Sequence, residues 1–260
     1  MWRRDASQWA NSAPILFPIV GALKNDTCVI NGKEYHMTQH GFARHNEFET
    51  NQVSDTEVIF SLKSNDEIIK QYPFLFELNV TYRLVENKLT CHIEVKNTDH
   101  QPIYFQVGGH PAFACPFMEN ESSNDYYLEF SENETCNRKI IDVEKRGMSR
   151  VEKPFFDNEK RFFVRQELFN TDAIVIKNFK SENIALKSLN HDKSIVFHMN
   201  GFDHVGLWAA KHVGGLIAIE PWVGHADYTD FNGEFKEKES CVELPVGKNF
   251  EVEFAVEINQ

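Results

Sequence analysis

The chain has 260 residues, a length that suits one large all-β domain or two smaller domains. Its 27 basic and 39 acidic residues give a net charge of -12, which repels the phosphate backbone of a nucleic acid. No segment approaches the roughly 18 apolar residues that a membrane-spanning helix needs, and no apolar region follows the positive charges at the N-terminus. We therefore expect a cytoplasmic protein with no nucleic-acid and no membrane partner.

The cysteines make a disulfide framework improbable. There are five of them, an odd number, and no two form a C-x-x-C pair. The same spacing gives no cysteine zinc site, and the 22 phenylalanines supply a core that needs no metal to hold it. We expect reduced, mostly buried thiols.

Alternating apolar and polar residues predict strands along most of the chain. Residues 58–62 form the first candidate. The clearest alternation covers residues 74–85, and after Glu86-Asn87 it resumes over residues 88–96, which predicts an antiparallel hairpin. Further short candidates lie at 103–107, 126–130, 161–165, 173–176, 184–189, 195–199, 205–209 and 216–220, and residues 250–258 form a closing strand.

Many short strands without a sustained helical period predict an all-β fold, a large antiparallel sandwich or barrel. The polar segments 119–125 and 146–160 are the expected long loops. Neither is rich enough in proline or glycine to mark a domain boundary, so we expect residues 1–260 to form a single domain.

The first segment with unusual chemistry covers residues 36–45. Its histidines at positions 36 and 40 have the spacing of a zinc-binding helix. Met37 takes the place of the catalytic glutamate of that motif, and Gly41 would interrupt the helix, so we reject a zinc site. His40 is then either a hydrogen-bonded structural histidine or a site residue.

The second segment, residues 108–113, reads G-G-H-P-A-F and follows a predicted strand. Pro111 favours an extended backbone at His110, and Gly109 allows the close approach of another chain or a ligand. The imidazole of His110 is therefore a candidate to face a cavity. A plain turn histidine is the alternative.

The third segment, residues 216–224, places Glu220 at the end of an apolar run. Burial there would raise the pKa of the carboxyl group toward a value that suits a general base. The alternative is a glutamate at a strand end that points into water.

These segments resemble the aldose 1-epimerase (galactose mutarotase) family, in its bacterial branch associated with lactose operons. The matching stretches are A-P-I-L-F-P-I-V-G at 13–21, H-G-F-A-R at 40–44, G-G-H-P-A-F at 108–113 and E-P-W-x-G at 220–224. The resemblance spans nearly the whole chain. It implies a large antiparallel β-supersandwich with few or no helices and an open sugar cleft.

Two departures accompany the resemblance. Family members usually carry a few dozen residues before the region of Trp9, and we expect this chain to lack the first strands that those residues form. Many relatives also have an arginine near Asn11, where this chain has Asn11 and Ser12. Sugar affinity or preference is expected to differ accordingly.

The resemblance also assigns roles. It makes Glu220 the general base and His110 the general acid for the interconversion of the α and β anomers of a free glucose- or galactose-class aldose. It requires no cofactor and no metal. We expect His110 to work as an imidazolium with a carboxylate nearby. The remaining substrate-binding residues are the hydrogen-bond donors His40 and Arg44, the acceptor Asp172, and the apolar walls Phe42, Phe113 and Trp222.

Other functions remain open. A hexose 6-phosphate epimerase would use the same acid and base but needs several basic groups for the phosphate. A carbohydrate-binding protein without turnover needs no matched acid and base. A glycosidase would need two carboxylates flanking the scissile bond, and only one of the three segments carries a well-placed acid.

Overall fold

A computed structural model describes residues 1–210 and 215–260. Strands dominate them. The strands of the first half are β1 (Ile15–Leu16), β2 (Thr27–Ile30), β3 (Lys33–His36), β4 (Glu49–Ser54), β5 (Glu57–Lys63), β6 (Phe76–Val85), β7 (Lys88–Asn97), β8 (Ile103–Phe105), β9 (Val107–Gly109) and β10 (Ala112–Cys115).

The second half contains longer strands that pair over wider stretches. They are β11 (Tyr126–Asp142), β12 (Gly147–Phe163), β13 (Ile174–Lys177), β14 (Asn183–Ser188), β15 (Ser194–Asn200), β16 (His204–Trp208), β17 (Gly215–Val223), β18 (Val242–Leu244) and β19 (Asn249–Asn259). One short α-helix, α1 (Asp66–Ile69), lies within the described residues. The 3-10 helices there are Lys24–Asp26, Ala43–His45, Ser123–Asp125, Gln166–Phe169 and Phe235–Glu237.

Fifteen of the strands described form one antiparallel sheet. Its order is β1-β9-β17-β16-β13-β11-β14-β15-β19-β7-β6-β5-β4, with β10 also paired to β17 and β12 to β11. The pairs β2–β3 and β8–β18 form two smaller sheets. Strand β17 lies beside β16, β9 and β10, so its side chains have neighbours from three other strands.

The large sheet folds over on itself. Phe17, just after β1 at one end of the strand order, has its ring 4.9 Å from that of Phe76 in β6, near the other end. Phe113 of β10 likewise contacts Phe197 of β15, with ring centroids 6.2 Å apart. These contacts close the sheet around a core rich in phenylalanine, and aromatic rings each contribute a large buried area to such a core.

The predicted all-β supersandwich with few helices is confirmed, since 53% of the chain is strand and 7% is helical. The predicted hairpin is β6 and β7, paired from Phe76↔Asn97 to Val85↔Lys88. The five cysteines are free thiols, as expected. Among the residues described, no helix has the length and apolar character needed to cross a membrane.

The long loop predicted at residues 146–160 is wrong. This segment belongs to β12, which pairs with β11 through several register shifts. Most side chains of β12 are exposed, so the strand carries no apolar alternation, and its hydrogen bonds come from a partner distant in sequence. A strand whose two faces are both largely exposed therefore cannot be predicted from apolar alternation in the sequence.

Gly41 lies in a turn that only glycine fits. Its φ is +71°, and a Cβ atom there would lie 2.2 Å from the carbonyl oxygen of Phe17. Gly32, in the β2–β3 turn, has a φ of +74° but open space around the same position. The two positions therefore separate the cost of a positive φ from the cost of a backbone clash.

We expect Gly32→Ala to lower the free energy of unfolding by about 1 kcal/mol, from backbone strain alone. Gly41→Ala should lower it by about 3 kcal/mol, because the clash with Phe17 adds to the strain. Urea denaturation of both variants measures the difference. Equal losses would show that the turn at Gly41 relaxes freely.

Candidate active site

Strand pairing places His110 opposite Glu220. In the sheet, Gly108 of β9 pairs with Trp222 and Ala112 of β10 pairs with Ala218. His110 lies two residues from both Gly108 and Ala112, and Glu220 lies two residues from both Trp222 and Ala218. The two registers therefore place His110 and Glu220 opposite each other. The break between β9 and β10, which Pro111 enforces, lets the imidazole leave the plane of the ladder.

The two side chains contact each other in a buried setting. His110 Nε2 lies 3.2 Å from Glu220 Oε2, and the residues are 9% and 2% exposed. Burial raises the pKa of the Glu220 carboxyl group well above its usual value, and the negative charge of Asp172 raises it further. Burial lowers the pKa of His110 to about 3. Both shifts favour uncharged groups, so the pair holds one proton as a carboxylic acid beside a neutral imidazole.

Three buried polar atoms at this place have no hydrogen-bond partner among the residues that the structure describes. They are His110 Nδ1, Glu220 Oε2 and the indole Nε1 of Trp222. The contact between His110 and Glu220 lacks hydrogen-bond geometry, although the distance is short. Unpaired buried groups cost about 1–3 kcal/mol each. Their hydrogen-bonding capacity is therefore unused in this structure, and all three residues line the same cavity.

His40 lies beside the pair in a fixed tautomer. Its ring centroid is 5.9 Å from that of His110, and its Nδ1 accepts a hydrogen bond from the backbone N–H of Gly21 at 3.1 Å. In a neutral ring the proton is then on Nε2, which becomes a donor. Burial lowers the pKa of His40 well below its usual value, and the neighbouring His110 and Arg44 lower it further.

Arg44 and Asp172 line the same cavity. Arg44 lies in the 3-10 helix Ala43–His45, and partial burial lowers the pKa of its guanidinium group. Asp172 has a φ of +88°, and its carboxylate accepts a hydrogen bond from the N–H of Ala173 at 2.7 Å. The guanidinium group of Arg44 also donates a hydrogen bond from Nε to His45 Nε2 at 3.2 Å.

The cavity has a volume of about 500 Å³, enough for a monosaccharide. It brings together six of the eight residues predicted from the sequence, namely Glu220, His110, His40, Arg44, Asp172 and Trp222. Phe42 and Phe113 are not on its wall, and this corrects the prediction. Phe42 packs in the core against Phe17, Tyr72 and Phe76, and Phe113 against Phe197, because both side chains point to the buried face.

Two tryptophans form the walls in place of those phenylalanines. Trp9 stacks on His110 with ring centroids 4.6 Å apart and an interplanar angle of 25°. Trp208 meets His110 edge to face at 5.6 Å. The alternation of β16 could have indicated Trp208, because Trp208 and Gly206 face the same side and Gly206 pairs with Glu220. Trp9 lies outside any strand and gave no signal.

Further polar groups complete the cavity, and no motif in the sequence marks them. Arg146 lines it while its guanidinium group donates two hydrogen bonds to the carboxylate of Asp26, at 2.9 and 3.1 Å. Gln39 and Asn170 supply amides. They come from turns that the fold brings together, and no spacing rule connects them.

The arrangement suits proton exchange with a small polyol. It has a carboxyl group and an imidazole in contact, a fixed imidazole donor and aromatic walls. Such walls stack on the apolar face of a sugar ring while the polar groups take its hydroxyls.

Solved structures with the same fold are known. A solved galactose mutarotase-related enzyme from Lactobacillus acidophilus superimposes with a TM-score of 0.94 at 31% identity, over 100% of this chain and 87% of that one. A galactose mutarotase-like protein from Lactobacillus casei ATCC 334 gives a TM-score of 0.89 at 30% identity, over 99% and 88% of the two chains. The fold is therefore that of the galactose mutarotase-like proteins.

The sequence comparisons give the family. The model of the aldose 1-epimerase family matches residues 2–243. The plasmid-encoded protein LacX of Lactococcus lactis subsp. lactis is 35% identical over 238 residues, which cover 86% of this chain and 77% of that protein. The chain belongs to the aldose 1-epimerase family, which supports an isomerase with a sugar substrate.

The stacked ring of Trp9 shields His110 from water and should therefore keep the pKa of His110 low. Trp9→Ala opens the stacked face to water, so the pKa of His110 should rise from about 3 toward its usual value of 6.5. Trp9→Phe keeps an aromatic cover and should leave most of the shift. NMR titration of the His110 ring measures both. An unchanged pKa in Trp9→Ala would show that other residues exclude the water.

Proposed function

We propose that this protein interconverts the α and β anomers of a free aldose of the glucose or galactose class, through the open-chain aldehyde. The reaction removes a proton from the anomeric hydroxyl and delivers a proton to the ring oxygen. Both oxygens are bonded to the same carbon, so the base and the acid must be close neighbours. The contact between Glu220 and His110 at 3.2 Å is the observation that carries the proposal.

Glu220 acts as the base and His110 as the acid. The pair at rest holds one proton in its uncharged form, because burial opposes two charges. Sugar hydroxyls that bind the unpaired atoms stabilise the other arrangement of the same proton, a carboxylate beside an imidazolium. Glu220 then takes the anomeric proton while His110 protonates the ring oxygen. After rotation about the C1–C2 bond, the roles reverse and the ring closes on the other face.

The remaining polar residues hold the sugar in place. His40 carries its proton on Nε2, since Gly21 occupies its other nitrogen, and a ring oxygen or hydroxyl of the sugar replaces the side-chain amide of Gln39, which lies 3.3 Å from that Nε2. Arg44 donates as well, and Asp172 accepts from a ring hydroxyl. Trp9, Trp208 and Trp222 cover the apolar ring faces and keep water from the open-chain intermediate. None of these steps requires a metal or a redox cofactor.

Glu220→Gln should lower kcat by about 10³-fold, because the amide keeps the shape of the side chain but cannot accept the proton. His110→Asn should lower kcat by a similar factor through loss of the acid. Polarimetry of freshly dissolved α-glucose and α-galactose, in the presence of a chelator, measures both rates against the uncatalysed relaxation.

Glu243→Gln is the matched control. Glu243 is exposed in β18 and outside the cavity, so this variant should keep the wild-type rate. Circular dichroism of all three variants verifies that they fold. Near-normal turnover by a folded Glu220→Gln variant would exclude Glu220 as the base. If the wild-type protein binds the sugars but does not accelerate their mutarotation, it is a non-catalytic carbohydrate-binding protein instead.

A hexose 6-phosphate epimerase is the second candidate, and one observation favours it. Arg44 and Arg146 both line the cavity, and together they offer a cationic wall to a phosphate. The carboxylate of Asp26 already occupies two donors of Arg146, which weakens that wall. The polarimetric assay on aldose 6-phosphates separates the two functions. A higher kcat/KM for the phosphorylated sugar would assign the epimerase of phosphorylated hexoses.

A further inference from the structure

Three metal-ligating side chains lie together outside the acid–base pair. His204 begins β16, His225 follows the end of β17, and Glu239 lies beyond the 3-10 helix Phe235–Glu237. One ligand atom of each lies within 4.8 Å of those of the other two. The spacing of positions 204, 225 and 239 matches no metal motif, so the sequence alone does not group them.

Both imidazoles are oriented as metal-binding histidines usually are. His204 Nδ1 lies 2.8 Å from the carboxylate of Asp203, and His225 Nδ1 lies 2.6 Å from the carbonyl oxygen of Ala226. Each acceptor requires a proton on Nδ1, which leaves a lone pair on Nε2 of a neutral ring. Metal-ligating histidines almost always donate their other N–H to a carboxylate or a backbone carbonyl.

The two Nε2 atoms have no hydrogen-bond partner in residues 1–210 and 215–260. The residues are almost fully buried, with 0% exposure for His204 and 2% for His225. His225 Nε2 also lies 3.5 Å from Glu239 Oε2. The two Nε2 lone pairs and the Glu239 carboxylate are therefore the electron-pair donors that this cluster offers, and a cation would satisfy all three.

The neighbouring charges decide which kind of cation fits. Lys177 and Lys139 contact Glu239 Oε1, and the hydroxyl of Tyr228 donates to Oε2. A second lone pair on Oε2 stays free. The two ammonium groups lower the affinity for any cation, so the bonds to nitrogen must supply most of it. Zinc-class ions favour imidazole ligands, whereas Mg²⁺ and Ca²⁺ favour sets of oxygen atoms.

We propose that His204, His225 and Glu239 bind one divalent ion of the zinc class. In a tetrahedral zinc site the ligand atoms lie roughly 3.3 Å apart, so the side chains move closer together on binding. His204 is the cross-strand partner of Trp222, two residues along β17 from Glu220. The ion thus lies on the face of the sheet that carries the cavity, and it joins the segment of Glu239 to β16 and β17. Its role is structural and separate from the proton transfers.

Cobalt and zinc titrations of the chelator-treated protein test this site. We expect one equivalent of Co²⁺ to give the visible absorption of a tetrahedral ion, and Zn²⁺ to displace it and raise the thermal midpoint. His204→Gln and His225→Gln should each weaken binding by at least about 10-fold. Glu239→Gln preserves the shape of the side chain and should also weaken binding, which covers the case in which a histidine variant fails to fold.

Two controls separate this site from other histidines. His198→Gln removes a partly exposed histidine that is ion-paired with Glu257 at 3.1 Å, and it should leave binding unchanged. His110→Asn should do the same, since His110 lies in the cavity. Failure to take up either ion would overturn the proposal. So would binding that survives all three ligand substitutions, or binding that is lost in His198→Gln or His110→Asn.

Discussion

The carboxyl group of Glu220 is held almost completely out of water, and the organisation of the surrounding strands follows from this constraint. It lies in a strand with neighbours on both sides, at 2% exposure. A carboxylate in such a place is costly unless it is paired or neutral. The raised pKa of Glu220 keeps the group uncharged and so avoids that cost, while the imidazole of His110 lies 3.2 Å away as the second group that can hold the proton.

The same strand separates two polar centres on one face of the sheet. Trp222 adjoins Glu220 on the cavity side, and its cross-strand partner His204 belongs to the cluster with His225 and Glu239. Gly206 makes room for the Trp222 ring, because a Cβ atom there would lie 2.7 Å from that ring. The indole and its apolar neighbours thus lie between the acid–base pair and the cluster of His204, His225 and Glu239.

The sequence predicted the features that depend on local pattern. The hairpin of β6 and β7 and the closing strand β19 alternate over nine or more residues, so most of their buried side chains could be predicted from the chain. Leu84 and Ile258 are exceptions, because these apolar residues near strand ends are exposed. Glu220 and His110 were readable for another reason, since an acid in an apolar run and a histidine between glycine and proline are each unusual. The family resemblance connected them, and the strand register explains why they meet.

Features that arise from distant contacts were not predictable. Strand β12 is polar along most of its length and exists because β11 pairs with it. Phe42 and Phe113 lie within the right motifs but point into the core. Trp9, from a segment without regular structure, takes the place expected for them and stacks on His110. Motifs locate the chemistry, whereas the direction of each side chain depends on the whole fold.

The central claim is that Glu220 and His110 move protons only on oxygen atoms. NMR exchange spectroscopy of glucose and galactose at anomeric equilibrium, in D₂O with a catalytic amount of protein, tests this most directly. The account predicts exchange between the α and β anomeric protons faster than in the protein-free solution, with no deuterium incorporated at C1 or C2. Absence of accelerated exchange, or deuterium at C2, would contradict it, because the second result requires a C–H bond to break.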